Sequence, residues 1–258
     1  MTMEEKYREI TSKLRQQGKE KFFPWFIGFR DLNATFEHGV KIFDGCILPT
    51  ARKYLGDLSD KSLLEIGYGG GILLAPAARQ FKSVSGIDIH KENNFVQDEL
   101  KSRGVEVDRL YITPGSTLPY NRKFDFVFCF TVFGHLSGYD VFRKYIKALP
   151  KSLTENGVAM IHFNRLICRK KGQTPKEIEE DFRKEETMGG DGWRYRDLRP
   201  NQITLMIAMW KVQEECAAAG LKVLESGPSG YPDPVKGMLY GGQAYVVVGL
   251  PDEKEDFN

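Results

Sequence analysis

SLLEIGYGGG, residues 62–71, is the stretch from which the rest of the chain can be read. Leu63, Leu64 and Ile66 form a short apolar strand, and glycines follow at 67, 69, 70 and 71 before the apolar run GILLAPAARQF (71–81). A strand that gives way through a glycine turn to a helix opens a βαβ unit. Without Cβ atoms, Gly67, Gly69 and Gly71 let a ligand lie directly against the main chain. The helix start beyond them offers free N–H groups and a positive dipole end to a carboxylate or phosphate.

Working outward, SVSGIDI (83–89), VEVDRLYI (105–112), FDFVFCF (124–130) and NGVAMIHF (156–163) read as further strands. The segments 92–104 and 138–153 between them have helical periodicity, and Gly104 stops the first. Pro76 inside 71–81 predicts a kink or an early break. Near-continuous apolar strands alternating with helices predict a doubly wound parallel sheet covered on both faces. LKVLESG (221–227) and GGQAYVVVGL (241–250) are two more strands, and a connection too short for a crossover helix makes this last pair antiparallel. The fold class is therefore α/β: a Rossmann-like, doubly wound, seven-stranded sheet, mostly parallel with a C-terminal antiparallel strand.

Residues 1–60 read as an N-terminal helical cap, with Tyr7, Ile10 and Leu14 at helical spacing and a second run, 36–55, interrupted by Gly45 and Pro49. Between them lies the aromatic group Phe22, Phe23, Trp25, Phe26 and Phe29. The core domain is expected over 61–258, with a lid inserted at about 164–200. In it, TPKEIEEDFRKEET (174–187) reads as an exposed helix supported by Glu179–Arg183 and Glu180–Lys184, 188–200 as a loop, and Asn201 to Ala219 as helix.

Asp88 ends the second strand about twenty residues beyond the glycine turn, where an acid accepts hydrogen bonds from ribose hydroxyls. Turn and acid together predict an adenosine-containing ligand. A dinucleotide site has its third glycine where this chain has Ile72; here the glycine comes one place early, at Gly71.

At this point LLEIGYGGG resembles the first motif of class I S-adenosylmethionine-dependent methyltransferases, an acid followed by G-x-G-x-G. GIDI resembles their second motif, KFDFVFCFTVFGHL (123–136) their fourth, and LTENGVAMIHF (153–163) the loop and fifth strand. The resemblance covers about residues 50–163. It implies S-adenosyl-L-methionine as cofactor and S-adenosyl-L-homocysteine as product, with no metal. Glu65, Gly67, Tyr68, Gly69, Gly71, Asp88, Ile89, Ser116 and Phe130 are the residues it implies around that cofactor. One departure stands out: PGSTLP (114–119) lacks the acid that the family usually places near the adenine amino group, so Ser116 or backbone would serve there.

The expected activity is methyl transfer, with O-methylation of a small or medium-sized acceptor favoured. Two other readings stand beside it: aminopropyl transfer from the decarboxylated cofactor, and a methyltransferase-like scaffold that binds without catalysis. His135, after the fourth strand, is a candidate general base or a loop-ordering residue, and His162, near the end of the fifth, is a second candidate base. His38 and His90 read as surface or packing residues. Trp25 and the set Trp193, Arg194, Tyr195, Arg196 and Arg199 are candidate acceptor-binding residues. Rings combined with guanidinium groups suit a planar, anionic or sugar-containing acceptor. The bland alternative pairs those arginines with Glu185, Glu186 and Asp197 on a mobile surface.

Bulk properties exclude little but agree. The chain has 258 residues, 41% hydrophobic and 28% charged, with a formal net charge of +2. That near-neutral balance argues against nucleic acid or an anionic membrane as an obligatory partner. Cys46, Cys129, Cys168 and Cys216 have no zinc-site spacing, and the N-terminus MTMEEKYREI has no apolar targeting core, so a reduced cytoplasmic protein is expected. Phe22 to Phe29 is too short to span a bilayer.

Overall fold

The computed structural model describes residues 2–28, 31–119, 121–167, 174–198, 200, 202–229, 232–233, 238–239 and 243–251. Phe29, Cys168 and Arg199 lie outside these residues. Seven strands form one sheet: β1 (Ser62–Ile66), β2 (Ser83–Asp88), β3 (Arg109–Ile112), β4 (Phe124–Cys129), β5 (Leu153–Asn164), β6 (Lys222–Pro228) and β7 (Gln243–Gly249). Their order is β3-β2-β1-β4-β5-β7-β6. All neighbouring pairs from β3 to β5 are parallel, and β7 runs antiparallel to both β5 and β6.

The sheet is covered on both faces, as the apolar strands require. Alternation along β4 sends Phe126 and Phe128 into a core with Phe22, Phe23, Phe36 and Phe43, and Val127 and Cys129 into a second core with Phe142, Ile146, Leu149 and Val212. The first core is roofed by helices α1 (Met3–Gln16), α2 (Lys19–Trp25), α3 (Leu32–Ile42) and α4 (Leu48–Leu55). A π-helical turn, Phe43–Ile47, carries α3 into α4 across Gly45. Pro49 then falls in the first turn of α4, where its missing N–H costs nothing. The second core is covered by α7 (Tyr139–Ser152) and α9 (Met209–Ala218); the helices between are α5 (Leu74–Ala77), α6 (Asn93–Ser102) and α8 (Pro175–Thr187).

Three expectations are corrected. The 71–81 helix shrinks to α5, because Pro76 has no N–H to donate and the chain continues in turns. The third strand is limited to β3, so 105–108 lies outside it. Helix does not fill 201–219. Leu205–Ile207, buried throughout, pairs antiparallel with Trp193–Tyr195, so part of the expected 188–200 loop is one arm of a hairpin. The helix starts only at Met209, after the Ala208 N–H donates to Gly192 O at 2.7 Å.

The N-terminal helices are fastened over the strand ends. Thr2 and Glu5 form a reciprocal capping box that starts α1. Arg8 then donates from Nε to Ile89 O at 2.7 Å and from Nη2 to Thr113 O at 3.1 Å. Arg15–Glu92 and Lys19–Glu99 ion pairs, at 3.3 and 2.6 Å, tie α1 and α2 to the region of α6.

Candidate active site

The glycine turn after β1 is a cradle held open by its neighbours. Gly67, Gly69 and Gly71 all have positive φ, between 50° and 75°. A Cβ at Gly67 would lie 2.2 Å from Val132 Cγ2, and one at Gly69 would lie 2.7 Å from the Phe26 ring. Gly71 does different work: its would-be Cβ meets Val96 and Leu100, so this glycine lets α6 approach and does not line the cavity. Gly86 on β2 is small for a similar reason, since a Cβ there would stand 2.7 Å from the Tyr68 ring.

Asp88 fastens this turn before any ligand arrives. Its Oδ2 accepts from the Gly69 N–H at 2.9 Å, and its Oδ1 accepts from Ile89 and His90 N–H at 2.6 and 3.1 Å. A carboxylate offers about four acceptor positions, so roughly one remains, on Oδ2, for a hydroxyl. His90 completes the lock. It is buried, with Nε2 2.9 Å from Gly69 O and Nδ1 accepting from the Glu92 N–H at 3.1 Å. A carbonyl only accepts, so the ring is neutral with its proton on Nε2. Read from sequence as surface or packing, His90 instead buttresses the turn.

Glu65, opposite Gly86 in the β1–β2 register, is 3% exposed, and its Oε2 has no hydrogen-bond partner. Burial, with the Asp88 charge added, pushes its carboxyl well above the usual carboxylate range. An orphaned acid at the floor of a glycine cradle calls for a donor or cation from outside the protein. Tyr68 OH is likewise buried without a partner. From α1, Tyr7 reaches the same space, its hydroxyl held protonated by burial and by Asp88.

These groups line a cavity of about 1200 Å³ of empty space counted out to its mouth. Its far wall comes from the chain after β4: Phe130, Thr131, Val132, His135, Leu136 and Ser137. Thr131 has φ 63°, a strained left-handed conformation for a β-branched residue, and it turns the chain toward the cavity. His135 sits in the 3-10 turn Phe133–His135. Its Nδ1 is 2.7 Å from Gln202 O, so Nδ1 carries the proton and Nε2 has the lone pair. Burial lowers its pKa, which favours that neutral form. Thr204 braces the turn, donating from N to Gly134 O at 2.8 Å and from Oγ1 to Leu136 O at 2.8 Å.

Other sequence candidates lie elsewhere. His162 does not line the cavity: it packs behind Phe130, ring centroids 4.8 Å apart, and borders a separate hollow with Cys46, Lys53, Glu225 and Tyr245. Burial pushes it down to about 4, which makes it a weak base. Ser116 does not line the cavity, whereas Gly115 does. Trp25 stands beside the wall, against Tyr7 and Phe26 at 5.6 and 5.2 Å, and Phe26 and Ile27 form the wall itself. Trp193 stacks on Tyr139, centroids 5.0 Å apart and planes 2° apart, over a different hollow. Arg194, Tyr195 and Arg196 do not line the cavity, though Tyr195, its pKa raised by burial and by Asp197, lies near enough to Glu4 for that charge to help raise it. Glu185 is fully buried and accepts from the Ile167 N–H at 2.7 Å, so it is not a surface partner for those arginines. Among the described residues lining the cavity there is no lysine or arginine. Nor does any group of three or more His, Cys, Asp or Glu among the described residues stand close enough to hold a metal ion. Sequence reading missed Glu4, Tyr7 and Thr204, which act across long chain separations, and His90, whose part shows only in its hydrogen bonds to the turn.

The sheet order, the glycine cradle after β1 and the acid ending β2 define the class I methyltransferase architecture. A profile described as a methyltransferase domain matches residues 43–226. The chain belongs to this family of S-adenosylmethionine-dependent methyltransferases. It is 29% identical over 125 residues to a ubiquinone biosynthesis O-methyltransferase of Rickettsia canadensis, a match covering 45% of this chain and 51% of the relative. The chain thus spans about half the length of the curated relatives it matches. Among solved structures it resembles the magnesium protoporphyrin IX methyltransferase of Synechocystis with bound S-adenosylhomocysteine, at TM-score 0.58 and 14% identity over 96% of this chain and 100% of that one. A second is an S-adenosylmethionine-dependent methyltransferase of Clostridium acetobutylicum, at TM-score 0.54 and 18% identity over 96% and 99%. At such identities these two likenesses speak for the fold alone. No helix among the described residues is long and apolar enough to cross a membrane.

Proposed function

We propose that the chain uses S-adenosylmethionine to methylate a hydroxyl oxygen of a small-molecule acceptor. The observation that carries the oxygen reading is His135, whose Nδ1–H is committed to Gln202 O while Nε2 remains a neutral acceptor at the cavity wall. An oxygen nucleophile gains from such a base; a carboxylate acceptor would not need one. The name of the Rickettsia relative supports the same atom.

The cradle at Gly67 and Gly69 would take the donor's amino-acid part, Glu65 its ammonium, Asp88 a ribose hydroxyl, and Ile89 one adenine face. When bound, the donor supplies an electrophilic methyl carbon on a sulfonium. The protein's own task is then position: near-attack geometry is worth roughly 7–11 kcal/mol of barrier. Phe130, Val132, Leu136 and Pro200 offer an apolar wall that suits a planar acceptor.

Aminopropyl transfer would need carboxylates on the acceptor side to hold a polyamine. The described carboxylates of the cavity are Glu65 and Asp88 at the glycine cradle and Glu4, which Ser137 of the far wall engages, and they form no acidic run. The helices before residue 60 act in this reading as a cap over the donor and 164–200 as a lid. Cys46, Cys129 and Cys216 are buried free thiols, which supports a reducing, cytoplasmic setting.

The test is calorimetry with S-adenosylhomocysteine, then transfer of labelled methyl to a panel of hydroxylated and aminated small molecules. Label recovered as an O-methyl ether is expected. Label on nitrogen only would overturn the oxygen reading, donor binding with no transfer to any acceptor would favour the non-catalytic scaffold, and no binding at millimolar ligand would remove the donor reading.

A further inference from the structure

The adenine end of the cavity lacks an acid in its own loop, since residues 113–119 read Thr-Pro-Gly-Ser-Thr-Leu-Pro. A carboxylate nevertheless stands there, brought by α1. Glu4 lines the cavity together with Gly115 and Ile89. A Cβ built on Gly115 would lie 3.4 Å from Glu4 Cγ, 3.9 Å from Glu4 Oε1 and 3.8 Å from Ile89 Cγ2. The acid therefore sits over the Gly115 backbone, beside the side chain that would face the adenine ring.

The position is built and held. The Thr2–Glu5 box starts the helix just before Glu4, and one turn later Arg8 clamps it to Ile89 O and Thr113 O, the carbonyls that flank this end of the cavity. The Ser137 hydroxyl donates to Glu4 Oε1 from the loop after the 3-10 turn. That bond uses one of about four acceptor positions on the carboxylate, and the others remain for a ligand.

We propose that Glu4 accepts a hydrogen bond from the exocyclic amino group of adenine, so that the N-terminal helix supplies the acid that the loop after β3 lacks. The inference rests on the donor reading above and goes beyond it by naming the residue that selects a 6-aminopurine. An amino group donates to the carboxylate. Where adenine has that amino group hypoxanthine has a 6-oxo oxygen, which only accepts and so faces the acid with a second acceptor; its N1–H points from a different ring position. A site built around a ligand N–H rejects the analogue lacking it.

The experiment measures dissociation constants of S-adenosylhomocysteine and S-inosylhomocysteine for the full chain by calorimetry. Wild type should prefer the adenosyl ligand by about ten- to hundredfold, the range of one hydrogen bond to a charged group. Glu4→Gln, whose amide can present either its oxygen or its NH2, should bring the two ligands within about threefold, chiefly by tighter inosyl binding. Glu5→Ala, which breaks the cap without touching the cavity, should keep the preference. Equal wild-type affinities, or an undiminished preference in Glu4→Gln, overturn the assignment while leaving the donor reading intact. A preference lost equally in Glu5→Ala also overturns it, because docking of α1 would then be the cause. Failure of wild type to bind either ligand defeats the donor reading itself.

Discussion

The two ends of the cavity are built on different principles. At the donor end, Gly69, Asp88 and His90 are joined by hydrogen bonds spanning 19 and 21 residues, all between the ends of adjacent strands β1 and β2. At the acceptor end, His135 depends on Gln202, and the turn around Gly134 on Thr204, at separations of 67 and 70 residues. The first end is a motif that a short sequence announces. The second is an agreement between a strand terminus and a hairpin that meet only in the folded chain. The lesson is that one binding surface can be readable at one edge and silent at the other.

Substitutions can break this contrast. His135→Asn should cost most, lowering kcat by about 10²–10⁴ if Nε2 is the base. Because burial lowers this imidazole's pKa, wild-type kcat should hold at neutral pH and fall only on the acid side of the ordinary 6.5, and the variant should lack that limb. A loss under about threefold would leave His135 a role in loop order only.

Asp88→Ala should weaken S-adenosylhomocysteine binding by about ten- to hundredfold. It removes a hydroxyl acceptor and also frees the Gly69 N–H, so the ribose and the turn suffer together. Unchanged affinity in calorimetry would show that the donor end is not organised by this acid.

Glu65→Gln separates function from stability. The folded protein raises this carboxyl's pKa, so it holds a proton that the unfolded chain releases, and stability falls as pH rises from the ordinary 4.5 through the raised value. At about pH 7 the variant should melt higher than wild type in the ligand-free state, with about 2–4 °C per kcal/mol relieved, and the gap should close below pH 4.5. Its ligand affinity should fall, because the ammonium loses its acid. A lower melting temperature for Glu65→Gln would show that the buried acid is already satisfied.

The smallest effect is expected from Trp193→Ala. Losing the stack on Tyr139 should lower the melting temperature by a few degrees, since such a ring pair is worth about 0.5–1.5 kcal/mol beyond its area. S-adenosylhomocysteine affinity should stay within about twofold. A raised KM for an acceptor would return Trp193 to the acceptor wall.

The sheet was legible because strands buried on both faces are apolar almost throughout, and Gly67, Gly69 and Asp88 were legible because cradle and acid follow adjacent strands. Leu205–Ile207 was not, since three apolar residues before a helix carry no period of their own. Tyr7 stands at helical spacing with Ile10 and Leu14, which predicts the helix, but spacing cannot say that it meets a ligand cavity. His162 was placed near the site by its position along β5. Parity along the strand decides otherwise: it shares a face with Met160, the face that residues 45–53 cover. Pro76 and Gly86 show the converse, where one residue type reports a constraint that its neighbours impose.

Arg8 grips Ile89 and Thr113 by their carbonyls, which every amino acid possesses. The docking of the first helix is consequently indifferent to which side chains occupy positions 89 and 113, and sensitive to the number of residues between the strands and those carbonyls. Point changes there would retune the pocket and leave its roof attached. A one-residue insertion or deletion just after β2 or β3 would move an anchor by a full peptide unit and break the Arg8 clamp.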